Sequence, residues 1–516
     1  MSKVVFMETK RQLFVLILFV LCVSILLPTS GCMVGPDFHS PRPDAPSGWE
    51  GVTQAAAKHP SVPTAQPAEL TQWWKQFDDP VLTQLVEDAL KTNLDLQLAV
   101  AALRQARAAR GIAVAALWPT LTAAAEYQRE NTILLSKAAA GQAQNLYQAG
   151  FDAAWELDVF GGQRRNVESA DANIQASTEG VSLAQVTLAA EVALNYVQLR
   201  GYQQQIAVAQ KNLKSMQDTA LITRQKAKAG FDSDLDIANA DINVTTTEAT
   251  IPPLETSAKQ SIYSLSVLLA KPPADLIEQL TPTDSIPGVP PQIPAGLPSD
   301  LLRRRPDIRQ AEAQLHSATA QIGVATADLF PKFSLTGTVS WQTNLLNNCW
   351  ANANRAYSAG PSVTWAIFQG GAIISNIRVQ EALTDQAFIT YRKTVLGAFQ
   401  DVENALIAFT KEQEHYKSLK DSVAANTIAV DLSLKLYKEG LLEFLNVLVA
   451  QRSLFTAENA LVQSNCNITS DLIALYKALG GGWETNPACE QSLTSATANA
   501  EDAAKQYRSY TLCVIY

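Results

Sequence analysis

Alternation of apolar and polar side chains marks four short segments of the chain. In residues 333–342 every second position from Phe333 to Trp341 is apolar or glycine, and the positions between are polar. This two-residue period is typical of a strand with one apolar and one polar face. The same period predicts strands in three further segments, residues 121–127, 151–159 and 361–367.

Two much longer stretches have a helical pattern. Residues 164–251 and 362–486 contain no proline and are rich in Ala, Leu, Gln, Glu and Lys, which are good helix formers. Each stretch is interrupted once, at Gly230 and at Gly440, shortly after a lysine-rich turn of the kind that ends helices. The first stretch predicts a helix over residues 166–229, roughly 95 Å long at 1.5 Å per residue. Such rods are typical of coiled coils or of helices that line an assembly.

The second half of the chain repeats the first with an offset of about 210 residues. Asp95 aligns with Asp307 and Gly230 aligns with Gly440, with many ordered matches between them. Each copy is predicted to hold one helix, two strands and two further helices. The predicted organisation is a signal peptide over residues 1–31, an extended segment over 32–78, a first repeat over 79–270, a proline-rich linker over 271–298, a second repeat over 299–483 and a tail over 484–516. The eight prolines of the linker argue against a helix there.

The N-terminus has the features of an exported bacterial lipoprotein. Lys10 and Arg11 precede an apolar run over residues 13–27, and small residues lead to Cys32. The run is short for a membrane span and typical of a signal peptide. The Gly-Cys end resembles a lipobox, which implies acylation of Cys32 and an anchor in outer-membrane lipid. Thr29 stands where lipoboxes usually carry Leu, so an ordinary secretory signal is the alternative.

Composition excludes several classes of function. The formal charge of -9 argues against a nucleic-acid binder. The apolar residues are too dispersed for a polytopic helical membrane protein. The four histidines lie far apart, and common catalytic motifs are missing from the sequence. We therefore expect no enzymatic activity, no catalytic residues, no cofactor and no metal site.

Two further groups of residues leave alternatives open. In an oxidising compartment Cys489 and Cys513 could form a disulfide across the C-terminal tail, with unpaired thiols as the alternative. The arginine run at residues 303–305 is compatible with a phosphate site. A salt-bridge cluster or a solvated helix start is the favoured interpretation.

The four predicted strands belong either to two hairpins on a soluble core or to a transmembrane barrel. Barrel strands have an apolar outer face and a polar inner face, and aromatic residues near the strand ends suit the membrane interface. Four strands cannot close a barrel alone, so a membrane barrel would require several chains. The candidate lumen-lining residues are Glu126, Glu156, Asp158, Thr336, Thr338 and Thr364.

Several motifs, in order along residues 32–483, carry a resemblance to a known family. They are Cys32-Met-Val-Gly-Pro-Asp-Phe38, Trp73-Trp74-Lys-Gln-Phe77, Trp155-Glu-Leu-Asp158-Val-Phe160-Gly161, Arg304-Arg305-Pro306-Asp307 and Ala478-Leu-Gly-Gly-Gly-Trp483. The chain resembles the outer membrane factor family of TolC-like exit ducts, in particular its NodT-type lipoprotein branch, which serves RND efflux pumps. The resemblance implies a mainly α fold with membrane β structure: a homotrimer with a long α-barrel and a shared twelve-stranded β-barrel.

The resemblance also implies roles for the two helix breaks. They become the periplasmic tip that meets an adaptor (membrane fusion) protein, through the candidate residues Lys228, Gly230, Asp232, Asp234, Lys438, Gly440 and Leu441. Relatives place an Asp where this chain has Val449, and some place an Asp where it has Asn446. The candidates for the pore constriction are Asp236, Leu445, Asn446 and Val449.

The implied function is a passive outer-membrane exit duct in a tripartite efflux system, driven by an inner-membrane RND pump. Its substrates would be small toxic compounds. The implied location is the outer membrane, with a lipid anchor and an extension into the periplasm. The alternatives are a type I secretion duct that works with an ABC exporter, and a periplasmic scaffold or anchored enzyme.

Overall fold

The computed structural model describes residues 33–42, 46, 48–50, 62–64, 70–130, 144–290, 292–294, 296, 298–346 and 351–483. Helices account for most of this part of the chain. The helices are α1 (Pro80–Thr92), α2 (Leu94–Ala115), α3 (Gly162–Lys228), α4 (Asp234–Glu248), α5 (Ile251–Leu268), α6 (Ile277–Leu280), α7 (Pro298–Arg304), α8 (Pro306–Ala327), α9 (Ala372–Lys438) and α10 (Phe444–Ala478). The strands are β1 (Val62–Thr64), β2 (Thr120–Glu130), β3 (Gln144–Leu157), β4 (Gln292–Pro294), β5 (Lys332–Thr343) and β6 (Arg355–Thr364).

These residues fall into two compact units. The first comprises Gln105–Gln175, Glu312–Ile389 and the described part of Met1–Pro41, and it contains the larger sheet. The second comprises the described parts of Arg42–Arg104, Ala176–Ala311 and Thr390–Tyr516, and it contains the helix ends around Gly230 and Gly440.

The larger sheet is antiparallel, with the strand order β2-β3-β5-β6. Each repeat contributes one hairpin, and the two hairpins pair through β3 and β5. The prediction of four strands is therefore confirmed, although their limits differ. β6 begins at Arg355, six residues before the predicted start, because residues 355–360 also pair with β5. β3 ends at Leu157 because the next residues turn into α3.

The two longest helices are α3 and α9, with 67 residues each. At 1.5 Å per residue, each is about 100 Å long. The prediction of a long helix without interruption is confirmed, and α3 begins at Gly162, four residues before the predicted start.

Three of the predicted single helices are divided in the structure. Asn93 separates α1 from α2, and its side-chain oxygen accepts a hydrogen bond from the backbone nitrogen of Leu96. Pro306 separates α7 from α8, since a proline cannot donate a backbone hydrogen bond to the preceding turn. A new helix, α5, begins at Ile251 after α4, and Pro252 and Pro253 lie in its first turn, where their missing N–H groups are tolerated. Periodicity alone did not predict these breaks.

The proline-rich linker has more structure than its composition indicates. Residues 274–281 contain no proline, and α6 forms within them, so the expectation of no helix over 271–298 is wrong for this turn. β4 pairs in parallel with β1. Gln203 of α3 donates a hydrogen bond of 2.8 Å to the carbonyl oxygen of Leu280, and Arg200 donates one of 2.7 Å to that of Pro282. These bonds fasten the linker to α3.

Candidate functional site

The turn after α3 is a glycine-terminated helix end. Gly230 has a φ of +80°, and the nitrogen of Phe231 donates a hydrogen bond of 2.9 Å to the carbonyl oxygen of Lys226. Glycine suits this position because other residues resist a positive φ. α4 then starts with a capping box, in which Ser233 and Asp236 bond reciprocally to backbone nitrogens. The candidate residue Asp236 is thus committed to this helix start.

The turn after α9 has the same geometry. Gly440 has a φ of +76°, and the nitrogen of Leu441 donates a hydrogen bond of 2.9 Å to the carbonyl oxygen of Leu436. α10 starts at Phe444 with Glu443 at its N-cap, and the side chain of Glu443 makes no capping hydrogen bond. The two predicted turns are therefore matching structures. Together with the adjoining helix ends we call them the tip.

Tyr437 connects the two turns of the tip. Its hydroxyl donates a hydrogen bond to the carboxylate of Asp232 and lies 3.0 Å from Oγ1 of Thr223. Nζ of Lys226 donates a hydrogen bond of 2.6 Å to the carbonyl oxygen of Tyr437 and lies 3.9 Å from the centre of its ring. Burial, together with the hydrogen bond to Asp232, raises the pKa of Tyr437 above its ordinary value. The sequence analysis missed Tyr437, since nothing local marks its distant partner.

A small apolar core underlies this contact. Its buried members are Ala220, Ala240, Tyr437, Phe444, Val447 and Leu448. Polar bonds reinforce it: Gln451 donates to Thr219 at 2.8 Å and Arg452 donates to Asn243 at 3.1 Å. Side chains from both repeats thus make one packed tip.

Apolar side chains also cover the outside of the tip. Leu445 and Val449 are 57% and 56% exposed and lie four residues apart, on one face of α10. Asn446 is exposed beside them, whereas the intervening Val447 and Leu448 are buried. At the turns, Phe231 and Leu441 are 79% and 71% exposed. The candidate docking residues Lys228, Gly230, Asp234, Lys438 and Gly440 are exposed as well, and Asp232 is half-buried against Tyr437.

The register of the larger sheet sorts its residues into two faces. Even-numbered residues pair with even-numbered residues across all three strand interfaces, as in the pairs Glu126 with Gln148 and Thr336 with Ala154. Since directly paired residues share a face and neighbours in a strand alternate, all even residues lie on one face. The candidates Glu126, Glu156, Thr336, Thr338 and Thr364 lie on this face.

The two faces differ in polarity. The even face is mostly polar, and Gln342 donates a hydrogen bond of 2.9 Å to Gln148 across it. The odd face is largely apolar, and its exposed members include Leu121, Phe151, Leu335, Val339, Tyr357 and Val363. The sheet therefore presents polar side chains on one face and apolar side chains, which are compatible with lipid, on the other.

Asp158 has a different position from the one that alternation predicted. It lies beyond the end of β3 and caps α3, where its carboxylate accepts hydrogen bonds from the backbone nitrogens of Gln163 and Arg164. Nε of Arg164 donates a further bond of 3.1 Å. Asp158 is therefore not a strand residue, because the chain leaves β3 at Leu157 and turns there toward the start of α3.

Within the arginine run, Arg305 forms a salt-bridge cluster, and Arg303 is exposed. Arg305 donates a hydrogen bond of 2.6 Å to Asp307, one of 3.1 Å to Asp401 and one of 3.1 Å to the carbonyl oxygen of Ala478. These acceptors occupy its guanidinium, which ties α8 to α9 and α10. The lipid-attachment candidate Cys32 and the possible disulfide between Cys489 and Cys513 lie outside the described residues.

Long helices with a paired tip and a two-faced sheet define a TolC-like channel fold. Residues 85–271 and 297–481 match the family model of outer membrane efflux proteins. The chain therefore belongs to the outer membrane efflux protein family.

Solved structures and relatives are consistent with this assignment. The outer-membrane channel OprN superimposes with a TM-score of 0.81 at 36% identity, over 88% of this chain and 100% of that chain. Nodulation protein T of Rhizobium leguminosarum bv. viciae is 32% identical, over 94% of this chain and 99% of that protein. The pyoverdine export outer membrane protein OpmQ of Pseudomonas aeruginosa is 33% identical, over 86% of this chain and 92% of that protein.

Proposed function

We propose that this protein is the outer-membrane exit duct of a tripartite efflux system, docked through its tip to a periplasmic adaptor and an RND pump. The polarity of the sheet is the observation that carries the proposal. A sheet with one polar and one apolar face, on which no described side chain is buried, suits a wall between lipid and a water-filled lumen. Passage through such a lumen is passive, and the pump supplies the energy.

The sheet needs further copies of the chain to complete this wall. β2 and β6 are its edge strands, and among the described residues each pairs on one side only. An open edge in a membrane leaves backbone groups without partners, so membrane sheets close into barrels. Three copies joined edge to edge supply twelve strands, within the range of known barrels. The proposed assembly is therefore a homotrimer.

The proposed cargo is small toxic molecules. Relatives are named for toluene efflux and for pyoverdine export, and these cargoes are small. The polar even face of the sheet carries acidic groups and hydroxyls, which suit a water-filled passage rather than recognition of one cargo. Selectivity is therefore assigned to the pump.

Cross-linking from the tip tests this function. Cysteines in place of Phe231 and Leu441 carry a cross-linker on the two most exposed apolar side chains of the turns. A cysteine in place of Tyr263, an exposed residue of α5, is the control. We expect the tip cysteines, and not the control, to capture an adaptor that co-purifies with an RND pump.

Other outcomes of the cross-linking would change the assignment. Capture of an adaptor that belongs to an ABC exporter would replace efflux by protein secretion. Equal capture from the tip and from the control would contradict docking at the tip. A dye-accumulation assay in cells lacking the gene gives the matching functional readout, since the wild-type gene should lower accumulation.

The proposed lipid anchor is at Cys32. Mass spectrometry of the mature N-terminal peptide tests it directly: an acylated Cys32 is expected as the first residue. A peptide that begins elsewhere, or an unmodified Cys32, would contradict the anchor. Cys32→Ser provides the unmodified reference.

The proposed constriction is the exposed face of Leu445 and Val449 at the tip. Both side chains are apolar, so three copies would close the entrance with an apolar ring. Single-channel recording tests this arrangement. Leu445→Ser should raise the conductance of the resting channel, whereas the neighbouring change Asn446→Ser should leave it close to that of the wild type.

A further inference from the structure

The first described residues of the chain are bound to the start of α3. The nitrogen of Val34 donates a hydrogen bond of 3.1 Å to the carbonyl oxygen of Phe160. In return, Nε of Arg165 donates one of 3.2 Å to the carbonyl oxygen of Val34. Nη2 of Arg165 lies 3.3 Å from the carbonyl oxygen of Gly35 and 2.7 Å from Oδ1 of Asp37. One guanidinium thus binds three residues of the segment, Val34, Gly35 and Asp37.

Arg165 is buried, although it carries a charge. Its side chain is 2% exposed, and a buried charge is tolerated only where it is paired and hydrogen-bonded. Glu168 supplies one acceptor at 2.8 Å from its own helix. The other three acceptors, on Val34, Gly35 and Asp37, come from the N-terminal segment. The arginine therefore depends on the segment as much as the segment depends on the arginine.

A second contact continues the same network. The ring of Phe38 stacks on the ring of His316 with a centroid distance of 4.4 Å and an interplanar angle of 13°. Nε2 of His316 lies 3.0 Å from Oε1 of Glu168. Glu168 thus links the arginine and the histidine, on α3 and α8, that hold the segment.

Glycines shape the path of the segment. Gly35 has a φ of +89°, and a Cβ placed there would lie 2.4 Å from Cα of Gly323. A Cβ on Gly323 would lie 2.9 Å from the carbonyl oxygen of Val34. A Cβ on Gly161 would lie 2.7 Å from Cγ of Met33. The groove therefore admits the segment only because side chains are missing at these positions.

We propose that Gly161, Arg165, Glu168, His316 and Gly323 form a clamp that positions the lipid anchor of the chain. The clamp holds residues 33–38 at the junction of β3 and α3, one residue after Cys32. Since consecutive Cα atoms are about 3.8 Å apart, acyl chains on Cys32 enter the membrane beside this end of the sheet. This inference rests on the proposed lipid attachment.

The clamp explains the sequence Met-Val-Gly-Pro-Asp-Phe at residues 33–38. Gly35 allows the close approach to α8, Asp37 pairs with Arg165 and Phe38 stacks on His316. An extended chain without such contacts would let the anchor explore a wide area around the protein. The clamp instead fixes the point from which the acyl chains extend, so that the sheet and the acyl chains insert into the membrane at the same place.

Proteolysis of the full-length protein in isolated outer membranes tests the docking. Chymotrypsin cleaves after phenylalanine, and cleavage after Phe38 releases a short N-terminal peptide that mass spectrometry identifies. Gly35→Ala should expel the segment while leaving every side chain of the helices in place. Arg165→Gln should also release the segment, because it removes the guanidinium on α3 that binds the segment. Arg110→Gln is the matched control, because it also removes a guanidinium beside α3, and the guanidinium of Arg110 donates to Asp171.

We expect wild type and Arg110→Gln to resist cleavage, and both clamp variants to be cleaved about tenfold faster or more, since loss of the docking contacts raises the population of the open segment. Thermal melting followed by circular dichroism should be unchanged in Gly35→Ala, which separates release of the segment from unfolding. Equal cleavage of wild type and Gly35→Ala would overturn the clamp.

The mass of the released peptide separates the clamp from the lipid anchor. An acylated peptide with no effect of Gly35→Ala would leave the anchor and remove the clamp. If wild type resists cleavage and its N-terminal peptide, recovered after denaturation, is unmodified, both the anchor and the positioning role are removed. Cys32→Ser should stay protected, because none of the clamp contacts involves an acyl chain.

A photoreactive fatty acid, incorporated into the anchor by the cells, tests the positioning itself. In wild type, cross-links from the acyl chain should concentrate in peptides from the end of β3 and the start of β5. In Gly35→Ala they should spread over the membrane-facing surface. The same cross-link distribution in both proteins would overturn the positioning role.

Discussion

The hydroxyl of Tyr437 donates a hydrogen bond to the carboxylate of Asp232, and this bond joins the second turn of the tip to the first. Tyr437 belongs to α9 of the second repeat and Asp232 follows α3 of the first. Lys226 and Thr223 surround the same hydroxyphenyl group. The contacts of Tyr437 with Asp232, Thr223 and Lys226 therefore join the two turns above a small apolar core.

Loss of this hydroxyl should loosen the tip. Tyr437→Phe keeps the ring in the core but removes the bond to Asp232, which leaves a half-buried carboxylate without this donor. Such bonds to a charged group contribute about 1.5–3 kcal/mol. We expect a higher resting conductance in planar bilayers. Tyr263→Phe, at an exposed site on α5, is the control and should conduct as the wild type does; an equal conductance of Tyr437→Phe and wild type would show that the bond does not restrain the entrance.

Alanine at the two tip glycines should destabilise the tip through backbone strain alone. A Cβ at Gly230 or Gly440 meets nothing within 4 Å, yet both residues have a positive φ. The left-handed conformation costs other residues roughly 1–2 kcal/mol. Hydrogen exchange at the ends of α3 and α9 should report faster opening in Gly230→Ala and in Gly440→Ala.

The control for these glycines is Gly397→Ala in the middle of α9. A Cβ there also meets nothing within 4 Å, and alanine is a better helix former by about 1 kcal/mol. Exchange near residue 397 should therefore slow down. A similar acceleration in all three variants would contradict the assignment of strain to the tip.

Neighbouring residues of β5 should respond oppositely to a lysine. Val339 lies on the apolar face of the sheet and Thr338 on the polar face. A lysine on the lipid side of a barrel costs about 2–4 kcal/mol near the middle of the bilayer. Val339→Lys should therefore reduce the amount of heat-resistant trimer in outer membranes, as seen on unheated gels.

Thr338→Lys should assemble normally and shift the ion selectivity of the channel toward anions, because its charge faces the lumen. Selectivity is measured from reversal potentials in a salt gradient. Normal assembly of Val339→Lys together with failure of Thr338→Lys would invert the proposed faces of the sheet.

Asp471 on α10 should make stability depend on pH. Burial, reinforced by the charge of Glu412, raises the pKa of Asp471 to about 6, above the value of about 3.9 in an unfolded chain. The folded protein therefore holds this proton more tightly, and its stability falls as the pH rises from about 4 to about 6. Above pH 6 the half-buried carboxylate of Asp471 is charged, which lowers the stability of the folded protein.

Asp471→Asn should remove this cost. We expect its free energy of unfolding at pH 7.5 to exceed that of wild type by at most about 3 kcal/mol. At pH 4 this difference should be smaller or absent. Asp431→Asn removes an exposed carboxylate of α9 and serves as the control. An Asp471→Asn protein that is less stable than wild type at pH 7.5 would contradict the raised pKa.

The alternation around Thr336 and Thr338 was sufficient to predict strands, and the proline-free stretches before Gly230 and Gly440 were sufficient to predict long helices with a break. These features depend on consecutive residues, because side-chain direction and helix termination are local properties of the backbone. The ordered motifs also placed the chain in its family. The assignment of Asp158 to a strand was wrong, because its position depends on the start of the next helix.

Contacts between distant residues were decided only by the tertiary structure. The bond from Gln342 to Gln148 spans 194 positions, and it is the register of β3 with β5 that collects the polar residues of both hairpins on one face. The contact of Tyr437 with Asp232 spans 205 positions, and that of Arg165 with Asp37 spans 128. Local periodicity determines which way a side chain points along its own element. Which partner it meets depends on how separate elements pack, and that is a property of the whole folded chain.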